Sequence, residues 1–93
     1  MNVTTGRTVL YILSEADCQK INDQRREFEK LPNYTQIFGN PVRPGDVVPA
    51  IVVKPWADNY FNGQAILDGC DTLWLMSVKE GTEPGTWHWP ERV

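Results

Sequence analysis

The chain has 93 residues and a formal net charge of −3, from 9 Lys and Arg against 12 Asp and Glu. This length suits a single domain over residues 1–93 and excludes a two-domain enzyme with a separate cofactor fold. With 41% hydrophobic and 23% charged residues, the composition excludes general disorder, and the mild acidity argues against binding to duplex nucleic acid.

The first third of the chain predicts a strand followed by a helix. Residues 8–13 are mostly β-branched, aromatic or apolar, which favours a strand that ends at Ser14. Acidic residues follow Ser14 directly, which is the pattern of a helix N-cap. The predicted helix continues to about Lys30, because Pro32 disfavours helical geometry in the residue before it.

One basic residue interrupts the apolar side of this predicted helix. The apolar stripe consists of Cys18, Ile21, Phe28 and Leu31. Arg25 lies within that stripe, four residues after Ile21. Two interpretations stay open: the Arg25 stem covers the core while its head reaches water, or its guanidinium faces inward and binds an anion or a carboxylate.

The middle of the chain predicts a long connection, a strand and an aromatic loop. Residues 32–46 are rich in proline and glycine, and we assign no helix or strand there. Residues 47–54 are apolar almost throughout, which predicts a strand covered on both faces. Pro49 cannot donate to a sheet, so we expect an edge position or a bulge near it. We interpret residues 55–63 as a loop. Its exposed aromatic residues are Trp56, Tyr60 and Phe61.

The next segment predicts a β-hairpin. Residues 64–67 and 72–78 form its two strands, joined by a tight turn. In the second strand the alternation places Trp74, Met76 and Val78 on one face, and leucines on the other. Because both faces are apolar, we expect this strand to be central in the sheet or buried in an oligomer contact.

The C-terminal segment predicts a turn and a short final strand. Pro84 and Gly85 occupy the central positions of a type II turn, and residues 86–89 follow as a strand. Successive side chains of a strand alternate, so the two tryptophans of this segment share one face and His88 takes the other.

The chain shows no catalytic set and no cofactor motif. Cys18 and Cys70 are isolated in the sequence, so we expect thiols in a reducing compartment, and with His88 they are too few for a structural zinc site. The enzymatic alternative is hydrolysis through His88 with Asp68 or Asp71. We therefore expect a protein without enzymatic activity, metal or cofactor.

An excess of tryptophan, 4 in 93 residues, supports the functional prediction. Aromatic faces stack on planar ligands, and arginines pair with phosphate. We expect a binding module for a small aromatic or nucleotide-like ligand or for a host protein. The alternative is that the tryptophans serve the core or an interface. The expected ligand-binding residues are Trp56, Tyr60, Trp74, Trp87, His88, Trp89, Arg25 and Arg43.

The apolar runs are too short for a membrane protein. The longest, residues 47–53, is about a third of the ~20 residues that cross a bilayer. Residues 1–7 lack the basic start and apolar core of a secretory signal. We therefore expect a cytoplasmic location without membrane contact.

Several short motifs are spread between Tyr11 and Pro90. They are Gly39-Asn40-Pro41-Val42, Gly45-Asp46 with Pro49-Ala50-Ile51-Val52-Val53, Leu67-Asp68-Gly69 with Asp71-Thr72 and Trp74, and Gly85 with Trp87-His88-Trp89-Pro90. In these motifs the chain resembles a family of small uncharacterised proteins from tailed phages of actinobacteria. The resemblance implies a phage accessory or virion protein made in a bacterial host, and it carries over no functional residues.

The predicted elements combine into an α+β fold. One N-terminal helix packs on a small, strongly bent antiparallel sheet of four or five strands, or on a partly open barrel. A core of this size is marginal, so we expect a homo-oligomer formed through the aromatic loop and the tryptophan-bearing strands. The second functional expectation is a head or tail accessory protein of the virion.

Overall fold

Five strands and one helix make up the described part of the chain. The computed structural model describes residues 3–31 and 39–91. In chain order the elements are β1 (Thr8–Ile12), α1 (Glu15–Glu29), β2 (Val47–Ala57), β3 (Tyr60–Ile66), β4 (Thr72–Lys79) and β5 (Trp87–His88). The strands form one antiparallel sheet in the order β4-β3-β2-β1-β5. The sheet curls into a half-barrel that packs with α1, which confirms the predicted α+β fold with a bent antiparallel sheet.

Helix α1 begins where its cap is predicted. The Ser14 hydroxyl accepts the Asp17 backbone N–H at 3.1 Å, and the Asp17 carboxylate accepts the Ser14 N–H at 2.9 Å. This reciprocal pair is a capping box, which satisfies donors that the first helical turn leaves open. The helix ends at Glu29, one residue before the predicted end. Ile21 is fully buried, whereas Leu31, after the helix, is 56% exposed.

The core lies between α1 and the inner face of the sheet. Alternate residues along each strand point inward, as the pleat of a strand requires. The core cluster consists of Val3, Val9, Tyr11, Leu13, Cys18, Ile21, Ala50, Val52, Phe61, Ala65, Leu67, Leu73, Leu75, Val78 and Trp87. Trp87 and Phe61 are the largest fully buried side chains, and they position β5 and β3 against each other.

Strand β2 is covered on one face only. It lies between β1 and β3 in the sheet, and Ala50 and Val52 point into the core. Val47, Ile51 and Val53 lie on the other side and are 50%, 40% and 44% exposed. The prediction of a strand covered on both faces is therefore wrong for the single chain.

Pro49 lies in an internal strand, not at a sheet edge. It pairs with Leu10 of β1, and the register shifts of β2 lie at Val52/Lys54 and Pro55/Ala57 instead of near Pro49. The expected edge position is therefore wrong for β2 as a whole, and its bulges lie after Val52, although Pro49 itself lies beyond the residues that pair with β3. Proline fits because the pairing of β3 with β2 starts only at Ala50. The missing N–H of Pro49 thus costs no hydrogen bond to β3.

The expected aromatic loop is a β-hairpin. Residues 55–57 continue β2 and Tyr60 begins β3, so only two residues form the turn. Phe61 is fully buried, whereas Trp56 is 55% exposed. The loop interpretation was wrong because Pro55 signals a break, while register shifts around it keep the strand paired.

Strand β4 is an edge strand with an irregularity. Its hairpin with β3 is confirmed, but among the described strands it pairs with β3 alone, so the predicted central position is wrong. Met76 and Ser77 are both exposed, and Ser77 has a left-handed φ of 53°. The alternation is broken there, so Val78 turns into the core and does not share a face with Trp74.

The C-terminal turn matches its prediction. Gly85 has a φ of 88°, and the Thr86 N–H donates to the Glu83 carbonyl at 3.1 Å, as a type II turn with glycine at the third position requires. The strand that follows is shorter than predicted, because only Trp87 and His88 pair with β1. Residues 39–46 contain no helix or strand, as expected, and residues 32–38 lie outside the described residues.

The two edges of the curled sheet meet at one end. Glu80, just after β4, forms a parallel bridge with Trp87, and the Gly81 N–H donates to the Trp87 carbonyl at 2.9 Å. The Asn59 carbonyl accepts both the Glu80 N–H and the Trp87 indole N–H, each at 3.1 Å. We call this set of contacts the seam. It closes one end of the half-barrel, and the rest of the β4 edge has no partner strand within residues 3–31 and 39–91.

Candidate functional site

Arg25 is held by a carboxylate of its own chain. Its Nε and Nη2 donate to the two carboxylate oxygens of Asp71 at 2.9 and 3.2 Å, and both side chains are buried. Further donation reaches the carbonyls of Asn40 and Asp68 at 3.4 and 3.5 Å. The inward-facing interpretation of Arg25 is confirmed. Its guanidinium is already paired with Asp71, and this ion pair joins α1 to the β3–β4 turn.

Asp68 fastens the same turn to the connection before β2. Its carboxylate accepts the backbone and side-chain amides of Asn40, each at 3.0 Å. The Gly39 N–H donates to the Asp68 carbonyl at 2.7 Å, and a Cβ added to Gly39 would overlap Asp68. The short motifs Gly39-Asn40 and Asp68-Gly69 therefore meet in space, and their polar groups satisfy one another.

The residues of the hydrolase alternative lie apart. Asp71 precedes β4, whereas His88 follows Trp87, which bridges to the residue after β4. The eight residues of β4 separate the two ends by roughly 25 Å. His88 is half-buried, and its Nδ1 has no hydrogen-bond partner among the residues described. The structure therefore does not bring His88 together with Asp68 or Asp71.

Trp87 belongs to an aromatic cluster in the core. Its ring contacts Phe61 and Trp89 edge-on, with centroids 5.7 and 5.3 Å apart. The Arg7 guanidinium lies over the Trp89 ring, 4.9 Å from its centroid, a cation–π arrangement. The predicted shared face of Trp87 and Trp89 is confirmed. Because Trp87 is fully buried, it presents no face to a ligand.

Trp56 and Tyr60 pack together at the β2–β3 hairpin. Their ring centroids are 5.0 Å apart and their planes are tilted by 33°. Trp56 is 55% exposed. Arg43, in the connection before β2, is exposed, and its backbone N–H donates to the Asp46 carboxylate at 2.9 Å. The predicted site residues thus fall into separate places in the fold.

Exposed apolar side chains cover the outer surface of three strands. We call this surface the outer face. Its members are Val47, Ile51 and Val53 of β2, Ile66 of β3, and Trp74 and Met76 of β4. The register aligns Ile51 with Gln64 and Gln64 with Trp74, so the members lie on one continuous surface. Patches of this kind mark interaction sites in globular proteins.

A cleft of about 460 Å³ lies between α1 and the unpaired edge of β4. Its lining residues are Tyr11, Asp17, Lys20, Tyr60, the β4 residues 74–79, Gly85 and Thr86. The volume falls within the range of small-molecule sites. Of the predicted ligand-binding residues, the cleft brings together Tyr60 and Trp74.

Some polar groups of the cleft are already hydrogen-bonded within the chain, and others could contact a ligand. The Tyr11 hydroxyl donates to the Asp17 carboxylate at 2.5 Å. Burial and this carboxylate raise the pKa of Tyr11 well above its usual value, so the phenol stays protonated. Lys20 and Lys79 are exposed, and neither ammonium group forms an ion pair or a hydrogen bond with another described residue. The charged groups of the lining are therefore these two ammonium groups and the carboxylate of Asp17, which accepts both of its hydrogen bonds through one oxygen.

Sequence reasoning missed Tyr11, Lys20 and Lys79. They lie on different elements, and only the curl of the sheet brings β4 towards α1. One usable signal was Tyr11, because a tyrosine at an inward position of a strand needs a partner for its hydroxyl, and the capping Asp17 is near in sequence.

The described parts of the chain contain neither a metal-binding cluster nor a membrane-spanning helix. Within residues 3–31 and 39–91, His, Cys, Asp and Glu side chains form no group of three that would hold a metal. Cys18 is buried and Cys70 is exposed, and neither forms a disulfide with a described residue. Burial, and then the charges of Asp17 and Asp46, raise the pKa of the Cys18 thiol. None of the described helices has the length and apolar character to span a membrane.

Comparisons with protein families, with curated proteins and with solved structures found no match to this chain. The resemblance to the phage family therefore stays a prediction.

Proposed function

We propose that the protein is a non-enzymatic binding module that acts as a homo-oligomer through its outer face. The observation that supports this most is the exposure of six large apolar side chains on three adjacent strands. Leaving such a surface in water costs about 25 cal/mol for each Å² of apolar area that a partner would cover. A partner on this face would therefore add stability to a small domain with a limited core.

The occupant that we propose is a second copy of this chain. In a two-fold contact each copy contributes the same patch, so an apolar patch meets its own apolar counterpart. Gln64 lies between Ile51 and Trp74 in the register of the sheet, and it is polar but uncharged. No like-charge repulsion arises along this row when two copies meet.

Sedimentation equilibrium and light scattering at micromolar concentration test the proposal. We expect an oligomer for the wild-type chain and a monomer for the double variant Ile51→Glu/Ile66→Glu, because four buried carboxylates would face one another across a dimer. Asn22→Glu, on the exposed side of α1, is the matched control and should stay oligomeric. A wild-type chain that is monomeric throughout would reject self-association and favour a host protein as the partner of this face.

In the phage context implied by the resemblance, we propose an accessory protein that works in the cytoplasm of the infected host. The virion alternative would use the outer face for repeated contacts between copies. Peptide mapping of purified virions separates the two roles, since an accessory protein is absent from particles and a structural component is present in fixed copy number.

A further inference from the structure

We propose that the cleft between α1 and β4 binds a small planar aromatic molecule that carries an anionic group, either a phosphate or a carboxylate. Most of the lining of this ligand site lies away from the outer face, because it comes from α1, the β4 edge and the turn before β5. Trp74 and Met76 are common to both surfaces, so the tests below change other residues.

The walls of the cleft are fixed before any ligand arrives. The Ile12 N–H donates to the Thr86 carbonyl at 3.0 Å, and the Gly85 N–H donates to the Ile12 carbonyl at 2.7 Å. These bonds hold the turn against β1, while the capping box holds the start of α1. A preformed site loses little conformational entropy on binding, which favours affinity for a small ligand.

Two aromatic rings provide the surface for a planar molecule. Trp74 is 44% exposed and Tyr60 is half-buried, and both line the cleft. Aromatic side chains stack on planar rings, and this stacking depends little on which substituents the ring carries. The Tyr11 hydroxyl is already committed to Asp17 at 2.5 Å, so the rings and not the phenol are the surfaces available for contact.

The charge of the available groups favours an anion. Lys20 on α1 and Lys79 on β4 line opposite walls, and neither is paired with a described residue. The carboxylate of Asp17 accepts hydrogen bonds from the Tyr11 hydroxyl and the Ser14 N–H. Ammonium groups on flexible stems can close on an anion from both sides. The lining thus holds two ammonium groups against the one carboxylate of Asp17, and this balance favours an anion over a cation.

An irregular strand segment forms one wall. Ser77 lines the cleft with a left-handed φ of 53°, a conformation that costs energy in residues other than glycine. Its backbone N–H donates to the Asn62 amide oxygen at 2.7 Å, which stabilises the irregularity. The β4 edge is therefore irregular at a position that lines the cleft.

Titration followed by amide chemical shifts tests this inference. The probes are adenosine monophosphate, cytidine monophosphate, 4-hydroxybenzoate and indole-3-acetate, with adenosine and indole as uncharged counterparts. We expect saturable shifts at Lys20, Ser77, Lys79 and the Trp74 indole with at least one anionic probe, and about tenfold weaker binding of its uncharged counterpart. No saturable shift with any anionic probe at millimolar concentration overturns the inference, as does equal affinity for a charged probe and its counterpart.

Variants locate the site. Lys20→Gln/Lys79→Gln should weaken binding of the best probe about tenfold, whereas Lys54→Gln, which removes an exposed lysine of β2 outside the cleft lining, should leave it unchanged. Equal loss in both variants overturns the assignment to the cleft. The Ile51→Glu/Ile66→Glu variant should bind the probe normally, which separates a failure of this inference from a failure of self-association.

Discussion

Arg25 and Asp71 are the buried charged side chains of the described chain, each 8% exposed. Removing two charges from water carries a large desolvation cost, which only close hydrogen bonds between them can offset. The guanidinium meets this need by donating to both oxygens of Asp71 and to two carbonyls. The pair fixes the position of α1 on the sheet because its members lie on different elements.

Removing one member of this pair should destabilise the fold strongly. We expect Arg25→Met to lower the free energy of unfolding by about 3–5 kcal/mol, because Asp71 would be left buried without a partner. Urea denaturation followed by circular dichroism measures the change. The control is Arg26→Met, which removes an exposed ion pair with Asp23 and should change stability by under about 1 kcal/mol. Equal losses in the two variants would falsify a structural role for the buried pair.

Tyr11 should make stability depend on alkaline pH. Burial and the Asp17 carboxylate raise its pKa in the folded state above the usual value near 10. Its stabilising contribution is therefore complete below about pH 10 and is lost as the pH rises towards the folded-state pKa. Tyr11→Phe should lower stability by about 1–2 kcal/mol at neutral pH and should lose less stability above pH 10 than the wild type.

Urea midpoints measured from about pH 8 to about pH 12 test the pH dependence, with Tyr60→Phe as the matched control. The control should keep the alkaline loss of the wild type. An identical pH profile for Tyr11→Phe and wild type would contradict a role for the Tyr11 hydroxyl.

At the residue scale, the sequence allowed half of the buried pair to be predicted. Arg25 was recognisable because it interrupts an apolar stripe at helical spacing. Asp71 was given a role only in the hydrolase alternative with His88, since nothing in its local sequence indicates a partner 46 positions earlier. The pairing depends on how far the sheet curls towards α1, which the local sequence does not encode.

At the element scale, the strands were predicted well where local signals decide them. The strand at β1, the capped helix and the β3–β4 hairpin follow from side-chain branching, the Ser14 cap and turn chemistry. The irregular positions were not predictable. Pro55 and Ser77 lie in strands whose pairing continues past a register shift next to them. Such shifts depend on the partner strands and not on the local sequence.

Gly63 marks one of these close approaches between strands. A Cβ added there would overlap the Ile51 carbonyl oxygen and the Phe61 ring. We expect Gly63→Ala to lower the free energy of unfolding by about 1–3 kcal/mol, because the backbone of β2 would have to move. Thermal and urea unfolding measure the loss.

The control for this substitution is Gly6→Ala. Gly6 has a φ of 88° and open space where the added methyl group would lie, so only backbone strain of roughly 1–2 kcal/mol applies there. Amide shifts of Phe61 and Ile51 should move in Gly63→Ala and stay unchanged in the control. Unchanged stability and unchanged shifts in Gly63→Ala would contradict the close approach.

At the scale of the whole molecule, the seam holds the two edges of the sheet together. Trp87 is central to it, because its indole N–H and its carbonyl both bond, from β5, to groups beside the end of β4 at the other edge of the sheet. Its ring also fills the space beside Phe61 and Trp89. Closure therefore depends on one fully buried side chain.

Replacing this tryptophan should open the seam. We expect Trp87→Phe to lower the free energy of unfolding by about 2–4 kcal/mol, from the lost hydrogen bond and the cavity that remains. Trp56→Phe changes an exposed ring of the β2–β3 hairpin and should cost under about 1 kcal/mol. Hydrogen exchange at Gly81 and Glu80 should accelerate in the first variant alone. Equal protection of these amides in both variants would rule out the proposed closure.

The candidate site was predictable only in part at this scale. Tyr60 and Trp74 were expected as ligand-binding residues, and both line the cleft. Lys20 joins them because α1 and β4 face each other across the unpaired side of the half-barrel. Trp87 and Arg25 were also expected to bind the ligand. Core packing buries Trp87, and the ion pair with Asp71 buries Arg25. The composition of the sequence indicates which residue types suit a ligand. The curvature of the sheet decides which of these residues line the same cleft.

Strand β1 pairs with β2 on one side and with β5 on the other, which sets an order of assembly. The β2–β3–β4 meander contains only neighbours in sequence and can form early, whereas the second pairing of β1, with β5, needs residues from near the other end of the sequence. During synthesis on a ribosome, β1 and α1 emerge long before Trp87 is available to complete the seam. We therefore infer that chain closure is a late folding event, and that the nascent chain depends on the meander as its template.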